Sequence, residues 1–319
     1  MTLDKFKTIE LENDKFLVRI LNYGATIVDF IYKPLNRNVV KGYEEISDYY
    51  LNKTYRGATV GRVCNRLGNG SFTLNNKKYQ SYLNDGDNSL HGGKLGFSFC
   101  FFELTKLNNE VNCSYLSKDM EEGYPGNLKI NVNYKLTELG LDITYKLNSD
   151  KDTIASICNH SYFNLKGRSS TNLDDTYLKI AADEFAMIDE QGLSLPKSMK
   201  VENTIFDFRE FKEISNILDK NKFEQLKLAN GVDHHFIKNN LSDDKFIEYY
   251  CQDLKMEVLT TYPGSHVYTA NFFEEPRAAI CFECQFYPNA INYENRIKPV
   301  IKANKDYIFK TSYYIKENK

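Results

Sequence analysis

Hydrophobic and polar residues alternate along most of the chain, and this pattern predicts its architecture. Residues 127–136, N-L-K-I-N-V-N-Y-K-L, place an apolar side chain at every second position. A period of two is typical of an antiparallel strand with one buried face. Residues 141–147 repeat the pattern after a short turn, so the two runs predict a β-hairpin. Asn75 and Asn76 lie between two further short runs and predict a second hairpin.

Helical periodicity is scarce by comparison. Residues 211–228 show a patchy apolar face, which predicts short helices or loops. The 23 tyrosines and 21 phenylalanines favour strands. Many short strands with Gly, Asn and Asp turns predict an all-β fold, a large antiparallel β-sandwich with a few short helices. No low-complexity linker or strong repeat divides the chain, so residues 1–319 are predicted to form a single domain.

Composition narrows the classes of function. The chain has 319 residues, 42% of them hydrophobic, which is enough to bury a large core. Its net charge is −2 and its charges are interleaved, so neither a basic stripe nor a nucleic-acid partner is predicted. No window approaches the ~18 apolar residues of a membrane span, and no segment resembles a secretory signal. The seven cysteines are therefore predicted to be free thiols in the cytoplasm.

Residues 159–167, N-H-S-Y-F-N-L-K-G, carry the first candidate chemistry. The run is short and aromatic, which predicts a strand that ends in a turn at Gly167. Side chains alternate between the two faces of a strand, so His160, Tyr162 and Asn164 share one face. Imidazole, phenol and amide groups make a poor core surface but a suitable polar wall for a pocket. On this segment alone, a structural role for His160 is the alternative.

A second strand-like run, residues 279–292, contains a carboxylate among apolar residues. Alternation places Cys281 and Glu283 on one face and Cys284 on the other, towards the core. The lone C-x-x-C is a weak zinc signal, because its two thiols point apart. Burying a carboxylate in such a strand is costly unless the group is paired or functional. Glu283 is therefore the best general-base candidate in the chain.

Two glycine-rich segments add candidate ligand-binding residues. Residues 61–70, G-R-V-C-N-R-L-G-N-G, lack the strand–turn–helix context and the lysine of a phosphate loop, so nucleotide binding is not predicted. Arg62 and Arg66 are either surface arginines or donors to a ligand oxygen. Residues 84–93, N-D-G-D-N-S-L-H-G-G, form a turn-rich loop whose glycines let a ligand approach His91 closely.

The segment G-V-D-H-H-F at residues 231–236 places Asp233 beside two histidines. A metal site is the obvious alternative there. His234 and His235 point to opposite faces of a strand, however, and are poorly placed to chelate one ion, so no metal is predicted. The chain also lacks the G-x-S-x-G motif of a serine nucleophile. Together the candidates indicate acid–base chemistry on a small polar ligand such as a sugar, without selecting the reaction.

Nine motifs distributed over nearly the whole chain are informative when taken together. They are G-R-V-C-N-R-L-G-N-G-S-F-T-L at Gly61, N-S-L-H-G-G at Asn88, E-E-G-Y-P-G-N-L at Glu121, N-H-S-Y-F-N-L at Asn159, F-D-F-R at Phe206, G-V-D-H-H-F at Gly231, M-E-V-L-T-T-Y-P-G at Met256, Y-T-A-N at Tyr268 and F-E-C-Q-F-Y-P-N-A-I-N at Phe282. In their order and spacing they resemble the aldose 1-epimerases, the galactose mutarotase family. The resemblance implies a galactose mutarotase-like β-sandwich with an open sugar cleft and no cofactor.

The resemblance also implies roles for particular residues. In the family, the histidine of N-H-S-Y-F-N-L is the general acid and the glutamate of the E-x-Q segment is the general base, which implies these roles for His160 and Glu283. The residues predicted to bind the sugar are Arg62, Asn65, His91, Tyr162 and Asp233. Val232, His235 and Tyr287 depart from the family's pattern beside the site, and they bear on substrate preference more than on activity.

The implied function is that of an aldose 1-epimerase, or mutarotase, in hexose and galactose metabolism. Such an isomerase interconverts the α and β anomers of free hexoses such as galactose and glucose. Glu283 would remove the O1 proton while His160 protonates the ring oxygen, and each positioned transfer is worth roughly 10²–10⁴-fold. Both residues must then face one cleft, with room for a pyranose between them. The expected partner is a monosaccharide, and the protein is expected to be a monomer or a homodimer.

Alternatives on the same fold are a hexose-6-phosphate 1-epimerase and a non-catalytic carbohydrate-binding or regulatory protein. The first needs cations for the phosphate, for which Lys94 and Arg66 are candidates without forming a dedicated cluster. The second has no need of both His160 and Glu283. A glycoside hydrolase needs two carboxylates that flank the scissile bond, and only Glu283 stands out.

Overall fold

The structure is a computed structural model that describes residues 3–219 and 223–318. Within these ranges the chain forms 27 strands, numbered β1–β27 in chain order. They are β1 (Thr8–Glu12), β2 (Phe16–Leu21), β3 (Thr26–Tyr32), β4 (Arg37–Asn38), β5 (Thr59–Val60), β6 (Arg66–Leu67), β7 (Ser71–Leu74), β8 (Lys77–Gln80), β9 (Ser89–Leu90), β10 (Glu103–Leu107), β11 (Glu110–Ser117), β12 (Leu128–Leu136), β13 (Gly140–Ser149), β14 (Thr153–Ile154), β15 (Cys158–Asn159), β16 (Tyr162–Phe163), β17 (Tyr177–Ile180), β18 (Glu184–Ile188), β19 (Ser194–Lys200), β20 (Lys212–Glu213), β21 (Asp233–Ile237), β22 (Lys245–Tyr250), β23 (Leu254–Thr260), β24 (Gly264–Tyr268), β25 (Ile280–Cys284), β26 (Val300–Ile301) and β27 (Asp306–Glu317).

Most of these strands belong to three antiparallel sheets. The largest has nine strands in the order β10–β11–β12–β13–β27–β23–β22–β17–β20. The second has six strands in the order β16–β25–β24–β21–β18–β19, and the third has four, β1–β2–β3–β4. The remaining strands form the two-stranded ladders β5–β15, β6–β9, β7–β8 and β14–β26. The prediction of an all-β antiparallel sandwich is confirmed, while the single domain over residues 1–319 stays a prediction.

Both predicted hairpins are present. β12 pairs with β13 along its whole length, and every second residue of β12 is buried. The alternation read from the sequence therefore reports which face of this strand meets the core. Asn75 and Asn76 join β7 to β8 with φ angles of 51° and 61°. Two consecutive positive φ angles define the tight turn that suits the right-handed twist of a hairpin, and asparagine tolerates them well.

Helices are few and short. The one α-helix in the described ranges, α1, spans Glu224–Ala229 and ends at Asn230, whose φ of 55° is left-handed. The region predicted as short helices or loops holds β20, a 3₁₀ turn and α1, while residues 220–222 lie outside the described residues. No helix in the described part of the chain is long and apolar enough to cross a membrane. The 3₁₀ turns within the described ranges are Leu3–Lys5, Lys33–Leu35, Ile46–Tyr50, Gly68–Gly70, Phe97–Phe99, Glu121–Gly123, Ser215–Ile217 and Ala290–Asn292.

The main hydrophobic core lies between the nine-stranded and six-stranded sheets. Phe282 of β25 packs against Tyr249 of β22, with ring centroids 5.8 Å apart. Phe163 of β16 packs against Tyr313 of β27 at 4.8 Å. The Tyr313 hydroxyl donates to the Phe282 carbonyl across 3.2 Å, so this buried polar group has a partner. One face of the six-stranded sheet is thereby committed to the core.

The other face of the six-stranded sheet carries polar side chains. Because successive residues of a strand point to opposite faces, the core position of Phe282 directs Glu283 away from the core. Glu283 lies directly opposite His266 of the neighbouring strand β24. Asp233, on the next strand β21, lies opposite Tyr268 of β24. Three adjacent strands therefore bring ionisable groups from distant parts of the sequence together on one surface.

Candidate active site

A cleft of about 210 Å³ opens over this polar face of the six-stranded sheet. A larger concavity of about 660 Å³, on the nine-stranded sheet, contains none of the candidate residues. The smaller cleft combines ionisable and aromatic groups, which is the composition expected of a site for a small polar ligand. Its lining is Lys53, Thr54, Tyr55, Asn65, Arg66, Leu90, His91, His160, Tyr162, Asp233, Tyr268, Phe272 and Glu283.

His160 lies between β15, which pairs with β5, and β16, which begins the six-stranded sheet, so the backbone passes from one ladder to the other over two residues. Its amide donates to the Ala58 carbonyl across 2.8 Å, which fixes the position of the side chain. The imidazole packs against the ring of Tyr162 at 4.9 Å. Its Nδ1 is 3.6 Å from the Cys281 thiol. Burial raises the pKa of Cys281 well above its usual range, so the thiol places no negative charge beside the imidazole.

Glu283 is 2% exposed and lies beside His160. One carboxylate oxygen, Oε1, is 3.5 Å from His160 Nε2. The other, Oε2, accepts a weak hydrogen bond from the Cys158 thiol across 3.6 Å. A carboxylate this deeply buried is costly without partners, and the imidazole and the thiol supply them. An acid and a base candidate thus meet in the lining of one cleft.

The arrangement of this pair corrects one expectation. A separation of 3.5 Å leaves no room for a pyranose between His160 and Glu283, so they lie side by side in the cleft wall instead of flanking the ring. The physical reason lies in the hemiacetal, because O1 and the ring oxygen are bonded to the same carbon. Two neighbouring groups can therefore exchange protons with these two oxygens.

His91 lies next to this pair, with its ring centroid 5.3 Å from that of His160. The His91 backbone has a left-handed φ of 52°, an uncommon conformation for a residue other than glycine. A side chain at the following Gly92 would place its Cβ 2.0 Å from the Gly61 carbonyl oxygen, so only glycine fits there. The Nδ1 of His91 accepts the Asn65 backbone N–H across 3.2 Å. Burial, with the nearby His160, lowers the pKa of His91 well below its usual value.

These contacts fix the form of the His91 side chain. A neutral imidazole whose Nδ1 accepts a hydrogen bond must carry its proton on Nε2. His91 therefore presents an N–H donor. Together with His160 and Glu283 it offers ligand atoms within 4.8 Å of one another, a spacing that a metal ion could bridge. Metal-binding histidines usually donate their second nitrogen to an acceptor, whereas His91 faces the N–H of Asn65, which opposes metal ligation.

Asp233 and Arg66 form the charged side of the cleft. The Asp233 carboxylate accepts a hydrogen bond from His266 Nε2 across 2.5 Å. Burial alone would raise the pKa of Asp233, but His266 and Arg66 outweigh it and lower that pKa to about 2. The Arg66 guanidinium is itself held by Asp85, whose Oδ2 lies 2.7 Å from Nε. Asp233 is thus a permanent acceptor at neutral pH, and Arg66 is a fixed donor.

The structure does not bring Arg62 to the cleft, although sugar binding is the predicted role. Arg62 is 2% exposed, and its guanidinium is directed into the protein interior. The two terminal nitrogens of this guanidinium donate to the carbonyl oxygens of Ser117, Lys118, Tyr124, Pro125 and Gly126. Because its guanidinium binds these acceptors, Arg62 has a structural role. Arg66 lines the cleft in the position predicted for Arg62.

Replacing Arg62 with methionine is expected to reduce the free energy of unfolding by ~2–5 kcal/mol, because several buried carbonyl groups lose their donor. Chemical denaturation followed by circular dichroism measures the change. The matched control is Arg209→Met, which removes a guanidinium whose ion pairs lie at the surface, where such pairs contribute little to stability. Equal stability of the two variants would contradict the structural role of Arg62.

The remaining predicted residues are divided between the cleft and its surroundings. Asn65 and Tyr162 line the cleft as expected. Asn164 lies outside it and donates to the Ala278 carbonyl across 2.9 Å, so the predicted polar wall is shorter than the alternation indicated. His235 packs against Tyr287, with ring centroids 5.4 Å apart, and neither residue lines the cleft.

Several cleft residues have no role in the sequence-based hypothesis. They are Lys53, Thr54, Tyr55, Leu90, Tyr268 and Phe272. Two of them lie within the nine motifs, because Tyr268 begins Y-T-A-N and Leu90 is the third residue of N-S-L-H-G-G. His266 also has no predicted role, and it supports Asp233 from outside the lining. The sequence indicates its position indirectly, because His266 and Tyr268 are two residues apart and therefore lie on one face of the strand.

Burial of neutral histidines makes the protein sensitive to acid. Burial lowers the pKa of His234 to about 3 and the pKa values of His91 and His235 well below 6.5. In the unfolded chain these groups protonate near pH 6.5, so below that pH the unfolded state binds more protons. The free energy of unfolding should therefore fall as the pH decreases from about 6.5, by at most about 1.4 kcal/mol per histidine per pH unit.

Urea denaturation at about pH 7.5, 6 and 5 measures this dependence. Most carboxyl groups with a lowered pKa change the free energy of unfolding only below this pH range. His234→Leu provides the comparison, because His234 packs between Phe185 and Phe206 in apolar surroundings. This variant should show a smaller loss of stability on acidification. A free energy of unfolding that stays constant from about pH 7.5 to 5 would show that these histidines are not held neutral.

Comparison with known proteins places the whole chain in one family. The family model described as aldose 1-epimerase matches residues 7–314. Galactose mutarotase from Sus scrofa is 34% identical over 323 aligned residues, which cover 96% of this chain and 92% of that relative. Aldose 1-epimerase from Escherichia coli (strain K12) is 29% identical, over 97% of this chain and 94% of its own length.

Solved structures show the same correspondence. Galactose 1-epimerase from Lactobacillus acidophilus NCFM matches with a TM-score of 0.88 at 29% identity, covering 98% of this chain and 95% of that one. The GalM/aldose epimerase homologue from C. elegans matches with a TM-score of 0.91 at 24% identity, over 98% and 100% of the two chains, and shows the shared fold. The family model and the relatives above 30% identity both extend over nearly the whole chain, which therefore belongs to the aldose 1-epimerase family of isomerases.

Proposed function

We propose that this protein interconverts the α and β anomers of free hexoses such as galactose and glucose, with Glu283 as general base and His160 as general acid. The observation that carries the proposal is the 3.5 Å approach of His160 Nε2 to Glu283 Oε1 in the lining of the cleft. The names of the relatives, galactose mutarotase and aldose 1-epimerase, support the same reaction.

The reaction needs two proton transfers at one carbon. The Glu283 carboxylate takes the proton of the O1 hydroxyl while the His160 imidazolium gives a proton to the ring oxygen. The C1–O5 bond breaks, and C1 becomes an open-chain aldehyde. Rotation about the C1–C2 bond presents the other aldehyde face, and ring closure returns both protons. Each positioned transfer contributes roughly 10²–10⁴-fold.

The other cleft residues are assigned to binding. His91 offers an N–H donor, Asp233 offers an ionised acceptor, and Arg66 offers a guanidinium held by Asp85. A sugar hydroxyl both donates and accepts, so a mixed set of fixed donors and acceptors suits it. Asn65 and Tyr162 complete this assignment as further lining residues. A volume of about 210 Å³ suits a ligand smaller than a typical drug-sized molecule.

Asp233 does not suit the role of the acid in glycoside hydrolysis, although Asp233 and Glu283 both line this cleft. That reaction needs a carboxylic acid whose pKa is raised enough to protonate a leaving group. The pKa of Asp233 is instead lowered to about 2 by His266 and Arg66, against the effect of its burial. Asp233 is therefore assigned to sugar binding and not to proton donation.

Free hexoses should be better substrates than hexose 6-phosphates. A phosphate dianion needs cations that are not already neutralised, but Arg66 faces the carboxylates of Asp85 and Asp233. Lys94, the other candidate, packs over the ring of Tyr82 and does not line the cleft. Among the described residues, the lining contains one lysine, the exposed Lys53, and a single cation does not neutralise a dianion. We expect kcat/KM for glucose to exceed that for glucose 6-phosphate by at least about tenfold, since like-charge contacts cost several kcal/mol.

The rate of exchange between the α and β anomers tests both the reaction and this preference. It is measured at chemical equilibrium by saturation transfer between the C1–H signals of the two anomers in NMR. Galactose, glucose and glucose 6-phosphate are compared at one enzyme concentration. Exchange above the uncatalysed rate for the two free sugars supports the proposal. Faster exchange for the phosphate would favour the hexose-6-phosphate epimerase. Binding of galactose without faster exchange would favour a carbohydrate-binding protein.

A further inference from the structure

We propose that His266 is a positioning residue, which holds one oxygen of the Asp233 carboxylate so that the other oxygen receives a hydroxyl of the sugar. This inference rests on the proposed function, because it assigns a partner to a sugar-binding group of that cleft. His266 itself is 1% exposed and does not line the cleft. It can act on a ligand through its hydrogen bond to Asp233.

The geometry of the contact defines the role. His266 Nε2 is 2.5 Å from Asp233 Oδ1, so the two form a short hydrogen bond to an ionised acceptor. An ionised carboxylate can only accept hydrogen bonds, so at neutral pH the proton of this bond belongs to His266. No hydrogen bond between the described residues uses Asp233 Oδ2. Asp233 lines the cleft with its side chain 17% exposed, so Oδ2 is the oxygen left for a ligand.

The sheet explains why His266 is rigid. It lies on β24 between β21 and β25, opposite His235 on one side and Glu283 on the other. A residue in the interior of a sheet has its backbone fixed by ladder bonds to both neighbours. The backbone N–H of Asp233 also donates to His234 Nδ1 across 3.1 Å. Side chain and main chain of Asp233 are thus held at two points, as a preorganised binding group requires.

The position of His266 gives it a second neighbour of interest. Glu283, the assigned base, lies directly across the ladder from His266. A single strand therefore separates the base from the hydroxyl acceptor Asp233. Asp233 and Glu283 are held by the same three strands. A sugar that is bound by Asp233 is therefore held at a constant position relative to Glu283. His266 lies at the centre of this group of strands.

Two substitutions separate the proposed role from general support of the fold. In His266→Gln the side-chain amide reaches the place of Nε2, so a donor to Asp233 is kept. In His266→Asn the amide reaches only the place of Nδ1, so the donor is lost in a side chain of similar polarity. The hydroxyl held by Asp233 does not react, so its loss removes binding shared by ground and transition states.

Steady-state kinetics with galactose should show a KM roughly tenfold higher for His266→Asn, the loss expected for one hydrogen bond to a charged group. The kcat should stay within about threefold of the wild-type value, and His266→Gln should restore KM. In parallel, ¹³C NMR titration of the Asp233 carboxyl should show a higher pKa in His266→Asn than in the wild type.

An unchanged Asp233 titration in His266→Asn, or a KM equally raised in both variants, would overturn the role of His266. The carboxyl titration needs no sugar. If the wild type fails to interconvert anomers, the proposed function fails while that titration still decides whether His266 holds Asp233. If the wild type is active but the Asp233 pKa is unchanged in His266→Asn, the role of His266 is overturned while the proposed function stands.

Discussion

Replacing Glu283 with glutamine is expected to lower kcat for anomer interconversion by roughly 10²–10⁴-fold, the contribution of one positioned proton transfer. The amide keeps the size of the carboxylate but cannot take up the O1 proton at neutral pH. Galactose binding should change only a few-fold, because His91, Arg66 and Asp233 remain in place. Polarimetry gives kcat, and titration calorimetry gives the dissociation constant of the sugar.

The control for this variant is Glu138→Gln, in the exposed turn between β12 and β13. It removes the same charge from the chain far from the described cleft, and it should keep the wild-type kcat. A Glu283→Gln protein with the wild-type rate would show that another group is the base. Loss of galactose binding together with rate would instead identify Glu283 as a binding residue.

The second large effect is expected for His160→Gln, whose kcat should also fall by roughly 10²–10⁴-fold. Glutamine can donate a hydrogen bond but cannot deliver a proton to the ring oxygen. Because both transfers serve one transition state, the double variant should lose less than the product of the two single losses. Stopped-flow polarimetry of the three variants measures these rates, with circular dichroism as the check on folding.

His235→Asn is the matched histidine variant for this comparison. His235 is buried against Tyr287 outside the cleft lining, so its loss should leave kcat unchanged. A similar loss of rate in His235→Asn and His160→Gln would indicate a general effect of removing buried histidines. Losses that multiply in the double variant would show that His160 and Glu283 act independently of each other.

Much of the fold follows from local pattern. Alternation in residues 127–136 and 141–147 marks β12 and β13, because one face of each must meet a core. The pair Asn75–Asn76 marks a hairpin, because both residues tolerate positive φ. The order of strands in the sheets does not follow from such patterns, since it depends on pairings between distant segments.

The site likewise has features that local pattern predicts and features that depend on the pairing of distant segments. Alternation alone directs Glu283 away from the core, and the structure agrees. Its neighbourhood with His160 depends on the pairing of Tyr162 with Cys281, which joins residues more than one hundred positions apart. Local periodicity contains no information about that ladder. The family resemblance, rather than the strand pattern, related these two residues at the level of sequence.

Irregular segments explain where the sequence prediction was wrong. Arg62 precedes the two-residue strand β6, where no periodicity assigns side chains to faces. Choosing between Arg62 and Arg66 therefore needed the backbone itself. The interruption of the strand at His160 similarly removed Asn164 from the cleft wall. His266 was missed for another reason, because it acts through Asp233 and touches no ligand position directly.

The central claim is that this cleft interconverts the anomers of a free hexose. Its most direct test is the optical rotation of freshly dissolved α-D-galactose with increasing concentrations of the wild-type protein. We predict a relaxation rate that rises linearly with the concentration of wild-type enzyme, and a slope at least about 10²-fold lower for the His160→Gln/Glu283→Gln variant. Relaxation at the buffer rate with wild-type protein, or equal acceleration by the double variant, would contradict it.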